Sequence, residues 1–410
     1  MLAEGARYLD DPAFRRQALA ASLTNPNNTY SRQRLTSYAL ATHGWDVLPE
    51  WNPRSVVLTG EMADAILGGK RASVPAETTP LWDGKRPTTT TGWAQLGREV
   101  FFRYPLRKEV FVEWALANRE VAARVGVTPL DDGSYPGVVA FVDTRGEPQV
   151  GMTCAICHTD VGGGKPVIGR ARRAFDYGAL RLAYHAATKT PVEPGLARRM
   201  RAWGPGRADV TEDDDEDPVA VPDLWVRHQT FLTQAGTIKH TGPAALAIRQ
   251  ETQLLTSNHQ TVRPPRELAF ALAVFLYSLV PPPVAAPDDP AAAARGKRIF
   301  QRQCVSCHSN GAGGGGLVSA ESLDVDRALA NGGARGTGHY RPPALIRVGS
   351  AAPYFHQGAV SSLEEVLGPE RFEPGYGKGF LGPGPVPGHR YGTDLAAPDR
   401  AALLVYLRAL

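Results

Sequence analysis

The pentapeptides Cys154-Ala-Ile-Cys-His158 and Cys304-Val-Ser-Cys-His308 constrain this chain more than anything else in it, and between them they use all four of its cysteines. A pair of thiols two residues apart, followed directly by histidine, is the pattern of covalent c-type haem attachment, and here it comes twice. The chemistry needs that spacing. Two thiols add to the two vinyl groups of one porphyrin while the adjacent imidazole, His158 or His308, ligates iron from the same turn. A four-cysteine zinc site would have to bring both pairs together and would leave both histidines without a purpose. A thioredoxin-like motif does not ordinarily come twice with histidine after each copy. The expectation is therefore two covalently bound haem c groups, attached at Cys154, Cys157, Cys304 and Cys307, with His158 and His308 as iron ligands. No cysteine is left for a disulfide.

The 410 residues are 43% apolar and 21% charged, which is globular composition, and 43 Gly with 34 Pro make the body rich in loops. The net charge of +4 arises from 45 basic and 41 acidic residues, too even a balance for a nucleic-acid binder held by phosphate neutralisation. Haem attachment of this type implies assembly outside a bacterial cytoplasm, so a periplasmic or other extracytoplasmic location is expected. The chain begins Met-Leu-Ala-Glu-Gly without a basic then apolar leader, and reads as already trimmed of an export signal. The longest apolar run, Leu268 to Val280, is interrupted by Ser278 and stopped by Pro281, so it predicts a core helix and no membrane span.

The two haem motifs anchor an internal repeat. Gly97-Arg-Glu-Val-Phe101 precedes the first, and Gly296-Lys-Arg-Ile-Phe300 precedes the second. Each half closes on a matching apolar segment, Ala273 to Leu279 and Leu404 to Leu410. This predicts a mainly α fold of two cytochrome c-like haem domains, residues 91–283 and 284–410, with loop-rich insertions. The proline-rich stretch from Pro281 to Pro290 is the stiff linker. An insertion over 102–151 predicts a helical stretch from about Arg107 to Arg124 and a small β-hairpin delivering Cys154. Residues 1–90, with Trp45, Trp51 and Trp82, have no repeat partner and read as an N-terminal cap. The acidic run Glu212 to Asp217 reads as a solvated loop, with a calcium site or a partner contact as the alternative. Gly162 to Lys165 and Gly313 to Gly316 follow haem turns and lack the strand-to-helix setting of a phosphate loop.

Whether the sixth iron position is filled decides what a haem does. All four methionines, Met1, Met62, Met152 and Met200, precede the second motif. Histidine or an open site is therefore favoured at the second haem, and His389 in its Pro-Gly-His-Arg-Tyr-Gly loop is preferred over His339 and His356. For the first haem His185, His228, His240 and His259 are available, each of which could equally be a hydrogen-bonded core or surface residue.

With these residues set out, the chain resembles the bacterial diheme cytochrome c peroxidases and the related enzyme that matures methylamine dehydrogenase. The likeness is clearest from Tyr340-Arg-Pro-Pro-Ala-Leu-Ile-Arg-Val348 through Ala352-Pro-Tyr-Phe-His-Gln-Gly358 to Ser362-Leu-Glu-Glu-Val366, beside the family's Lys-x-Pro-x-Leu-Arg-Asn-Val, Ala-Pro-Tyr-hydrophobic-His-x-Gly and Thr-Leu-Glu-Glu-Val. With Leu96 to Phe102 it covers about residues 93–410 outside the insertion. The Gln149 to Cys154 approach also looks like the diheme rubber oxygenases. The family places a Trp-Asp-Gly segment between its haems and a pocket Gln ten residues after the Trp; here His240-Thr-Gly242 stands there, and Gln250 is ten residues on. The family's acid for O–O cleavage falls near His259, where no carboxylate is found and Glu251 is the nearest. The resemblance also implies calcium, held partly by main-chain carbonyls at Ala351 and Pro353.

It implies a peroxidase-like oxidoreductase. The C-terminal haem, closed by His389, would pass electrons to a peroxide-reactive N-terminal haem, with His240, Gln250, Glu251 and His259 as catalytic candidates. The implied partners are a small redox protein as donor and hydrogen peroxide or dioxygen as substrate. A non-catalytic diheme electron carrier and an oxygenase or protein-modifying oxidase are the alternatives.

Overall fold

Gly97 and Gly296 mark the two places where helices touch backbone to backbone. Gly97 lies in the helix Thr90–Arg103, where a methyl group would collide with the carbonyl oxygen of Ala271 and meet Cβ of Phe275 at 2.7 Å, both in the helix Arg266–Ser278. Gly296 lies in the helix Pro290–Gln303, where a methyl group would collide with the carbonyl oxygen of Ala402 and meet Cβ of Tyr406 at 2.7 Å, in the helix Ala397–Arg408. Only glycine permits so close an approach. One turn on, Phe101 meets Phe275 with ring centroids 5.4 Å apart at 54°, and Phe300 meets Tyr406 at 5.5 Å and 56°. The two helix pairs thus repeat one geometry in the register of the sequence repeat. Each leading helix is started by a side-chain cap: Thr89 Oγ1 accepts from the Gly92 amide at 3.0 Å, and Asp289 Oδ1 from the Ala292 amide at 2.9 Å.

In this computed structural model residues 1–410 are described, apart from 16, 18–47, 163–164, 210–217, 230–241, 258–260, 326, 332–337 and 377–383. They are mostly helical with small sheets. The helix Arg266–Ser278 is buried from Glu267 to Leu276 without a break. Thr90–Arg103, Pro243–Ser257 and the N-terminal helix Leu2–Asp10 all pack on it. Among the described residues no helix is long and apolar enough to cross a membrane.

The expected hairpin is the centre of a larger sheet. Strands β1 (Ser55–Val57), β2 (Arg107–Lys108), β3 (Val138–Val142) and β4 (Pro148–Met152) lie in the order β1-β3-β4-β2, every neighbour antiparallel. The expected helical stretch over Arg107 to Arg124 is corrected accordingly. Arg107 and Lys108 pair with Met152 and Gly151, and helix begins only at Val110–Leu116, where Glu109 caps the Phe111 amide at 3.2 Å. A second helix, Arg119–Arg124, follows. β1 comes from the first ninety residues, and its Ser55–Val57 pair with Val139–Phe141 of the first half.

Among the described residues three apolar cores result. One gathers around Arg266–Ser278, a second between the sheet and the helices Tyr177–Thr188 and Pro194–Trp203, and a third around Pro290–Gln303 and Ala397–Arg408. Between the halves the linker is fastened rather than free: Arg347 Nη1 donates to the carbonyls of Pro282 and Pro283, both at 2.8 Å.

Candidate functional site

The first Cys-x-x-Cys-His motif forms a single helical turn, Ala155–His158, fed directly by β4. It sits on the seam between two cores, since Cys154 packs on the first and Cys157 on the second. Both thiols are unpaired, and burial pushes them up to about 11 and about 12, so they stay protonated at neutral pH. Nδ1 of His158 lies 3.0 Å from the carbonyl oxygen of Pro222. A carbonyl can only accept, so Nδ1 carries the proton and Nε2 keeps its lone pair for a metal. Burial, with the Pro222 carbonyl and Asp223 opposing it, holds this imidazole down at about 4, which keeps it neutral. Asp223 in turn accepts from the Ala171 amide at 2.9 Å, pairs with Arg173 at 3.0 Å and accepts from Trp225 Nε1 at 3.2 Å.

The second motif repeats this chemistry at the end of Pro290–Gln303, with Cys304 as its C-cap. Burial pushes the Cys304 thiol up to about 11. Nδ1 of His308 lies 2.5 Å from the Gly313 carbonyl oxygen, and burial lowers its pKa. Asn310 Oδ1 accepts from the Ala312 amide at 3.0 Å and the Gly314 amide at 2.5 Å, so the glycine-rich loop folds back onto the haem turn. His389 stands in a left-handed backbone conformation, φ 46°, with its ring beside Phe355 and Tyr391. Burial, then the nearby His308 and Arg371, push it down to about 4. His389 is therefore neutral and within electrostatic reach of His308. Its Nδ1 is buried and has no partner among the described residues. Two unpaired thiols and an anchored imidazole are the attachment set of haem c, and the second neutral imidazole is a further donor within reach.

The other candidates are placed as follows. His356 stacks on Tyr340 with centroids 4.4 Å apart, its Nε2 3.2 Å from the phenol oxygen, while His339 is exposed in a short strand. His185 packs against Phe111 and Tyr184. The His228 carbonyl accepts from Asn310 Nδ2 at 3.5 Å. Gln250 is half-buried on Pro243–Ser257, a helix whose Arg249 reaches Cys154 electrostatically. Its neighbour Glu251 is wholly buried, accepts from the Tyr8 hydroxyl at 2.7 Å and faces Arg266 at 3.4 Å, and burial raises its pKa. His240, His259 and the acidic run Glu212 to Asp217 lie outside the described residues. At the expected calcium position, the Ala352 carbonyl between Ala351 and Pro353 accepts from Arg173 Nε. Among the described residues no three acidic, histidine or cysteine side chains group to hold a metal ion.

Arg207, Ala220 and Gln229, which the sequence did not single out, bind the stretch 341–358 of the second half. Gln229, seven residues after Pro222, accepts from the Ala344 amide at 3.0 Å and from Arg341. The Ala220 amide donates to the main-chain carbonyl of His356 at 2.8 Å, and Arg207 donates to the Gly358 carbonyl at 3.2 Å. No local pattern distinguishes Arg207 and Gln229 from ordinary surface residues.

A comparison with curated proteins finds none that matches the chain. Residues 293–410, the stretch that holds the second motif and its helix pair, match the family described as Cytochrome c. They form a cytochrome c domain, and with that domain come covalently bound haem c and a redox role.

Proposed function

We propose that the chain is a diheme c-type oxidoreductase of the peroxidase-like class, working outside the cytoplasm. The observation that carries the reading is the duplicated helix crossing: Gly97 on Ala271 and Phe275 repeats Gly296 on Ala402 and Tyr406, and each crossing belongs to a half with its own Cys-x-x-Cys-His turn. The half that matches the cytochrome c family is thus accompanied by a second helix pair of the same build.

Cys154 and Cys157 would hold one haem and Cys304 and Cys307 the other, each Sγ–H adding across a vinyl group. Bound haem supplies reversible one-electron chemistry and, at an iron with an open position, a place for peroxide to be reduced to water. The chain's residues tune that chemistry. Donation from Nδ1 of His158 to Pro222 and of His308 to Gly313 fixes both tautomers and makes both Nε2 atoms better donors. His389 would fill the sixth position of the C-terminal site, which makes that site an electron store. Gln250, His240 and His259 remain the proposed polar residues of the N-terminal site, and the proposed donor is a small redox protein.

A second reading, a pure electron carrier, is favoured by one observation. Glu251, the nearest carboxylate to the position of the family's acid, is already committed to Tyr8 and Arg266. Optical and electron-resonance spectra separate the two. The peroxidase reading expects a high-spin iron that binds cyanide and consumes peroxide after half-reduction; two low-spin irons inert to both would leave electron transfer alone.

A further inference from the structure

We propose that Arg371 is the positioning residue for His389, setting its imidazole opposite His308 by gripping the backbone on either side of it. The inference rests on the reading that His389 fills the sixth position of the C-terminal site.

Arg371 lies in the short turn Pro369–Phe372 and is 0% exposed. A buried cation is strongly disfavoured unless its donors are satisfied. Among the described residues no carboxylate pairs with it. Its donors go to main-chain oxygens instead: Nε to Val366 at 3.3 Å, Nη1 to Val386 at 2.6 Å, and Nη2 to Gly388 at 2.7 Å and His389 at 2.8 Å. Three of the four acceptors belong to the loop that ends on the imidazole. The return contact is also made, since the Val386 amide donates to the Arg371 carbonyl at 2.7 Å. The guanidinium lies over the rings of Phe372, 4.1 Å from its centroid, and Phe355, at 5.2 Å. Phe355 is also the ring beside His389, at 5.8 Å.

The loop needs such a grip. Gly388 and His389 are both left-handed, φ 81° and 46°, and a side chain at 388 would collide with Val325. A non-glycine residue held there persists only where its surroundings over-determine it. The His389 amide donates to the Leu323 carbonyl at 3.1 Å, and its own carbonyl is taken by Arg371, so the residue is held from both sides. Arg371 need not touch the cofactor; it acts through the direction in which His389 points.

The test uses holoprotein carrying Arg371→Lys, which keeps the charge but lacks the planar, five-donor fork that serves three loop carbonyls. His389→Ala and the double variant accompany it. The C-terminal haem signal is identified by its loss in Cys304→Ala/Cys307→Ala. Arg371→Lys is expected to raise the high-spin fraction of that signal and to tighten cyanide binding there at least tenfold, both reversed by added imidazole. The double variant should be no more open than His389→Ala. A spin state in Arg371→Lys equal to the parent's, with His389→Ala high-spin, overturns the positioning role. So does an effect of Arg371→Lys that persists undiminished on top of His389→Ala. A C-terminal spectrum unmoved by His389→Ala instead defeats the ligand reading beneath it.

Discussion

Arg172 and Arg371 solve one problem in the same way in the two halves. Arg172, 2% exposed, donates to the carbonyls of Pro136 at 3.1 Å and Thr128 at 2.9 Å, and its amide donates to the Cys157 carbonyl at 2.8 Å. A guanidinium is thereby spent on backbone beside each candidate haem site. Neither was legible in the sequence, because an arginine that staples loops has no neighbours in the chain that differ from those of a solvated one. Glu251 is similar, for its partner Tyr8 lies 243 residues away. Tyr8→Phe removes the hydroxyl and leaves a buried carboxyl short of a donor, so it is expected to cost about 1–3 kcal/mol, read as a lower denaturant midpoint at unchanged slope. The same pair predicts a pH dependence. Burial raises the folded-state pKa of Glu251 above its ordinary value of 4.5, so its stabilisation is complete below that value and is lost as pH rises through the folded pKa. Glu251→Gln should therefore flatten the decline of stability with pH upward from about 4.5. An unaltered slope would show that this carboxyl does not change its proton on folding.

Helix crossings are the element-scale feature that the sequence did reveal. Gly-x-x-x-Phe before each motif and an apolar closing segment after it gave the register in which Gly97 meets Ala271 and Gly296 meets Ala402. The same reading missed β1, because three residues that pair with Val139 to Phe141 carry no signal until the partner strand is known. It also extended helix through Arg107 and Lys108, whose backbone is claimed by β4. If the two crossings are equivalent, Gly97→Ala and Gly296→Ala should each overpack a backbone contact and cost about 1–3 kcal/mol. Thermal unfolding of both variants checks this. A neutral result at one glycine only would show that the pairs differ in how closely they pack.

Across the whole molecule the halves are joined by hydrogen bonds from Arg207, Ala220 and Gln229 to residues 341–358. The sequence places a linker at Pro281 to Pro290 but says nothing of this seam, whose partners are more than a hundred residues apart. Gln229 is central to it. Arg341, which burial pushes down to about 10, has the Gln229 side chain as its hydrogen-bond acceptor. Gln229→Ala is expected to cost about 1–3 kcal/mol by leaving that half-buried guanidinium without an acceptor among the described residues, and to bring the onset of calorimetric unfolding to lower temperature. A thermogram identical to the parent's would show that the seam holds without it.

The molecular claim that matters most is that each half binds its own porphyrin, and intact mass combined with iron analysis of the matured protein tests it directly. Two covalent haems and two irons per chain are expected, falling to one of each in both Cys154→Ala/Cys157→Ala and Cys304→Ala/Cys307→Ala. A single haem in the parent, lost entirely with Cys304 and Cys307 and unaffected by Cys154 and Cys157, would contradict it.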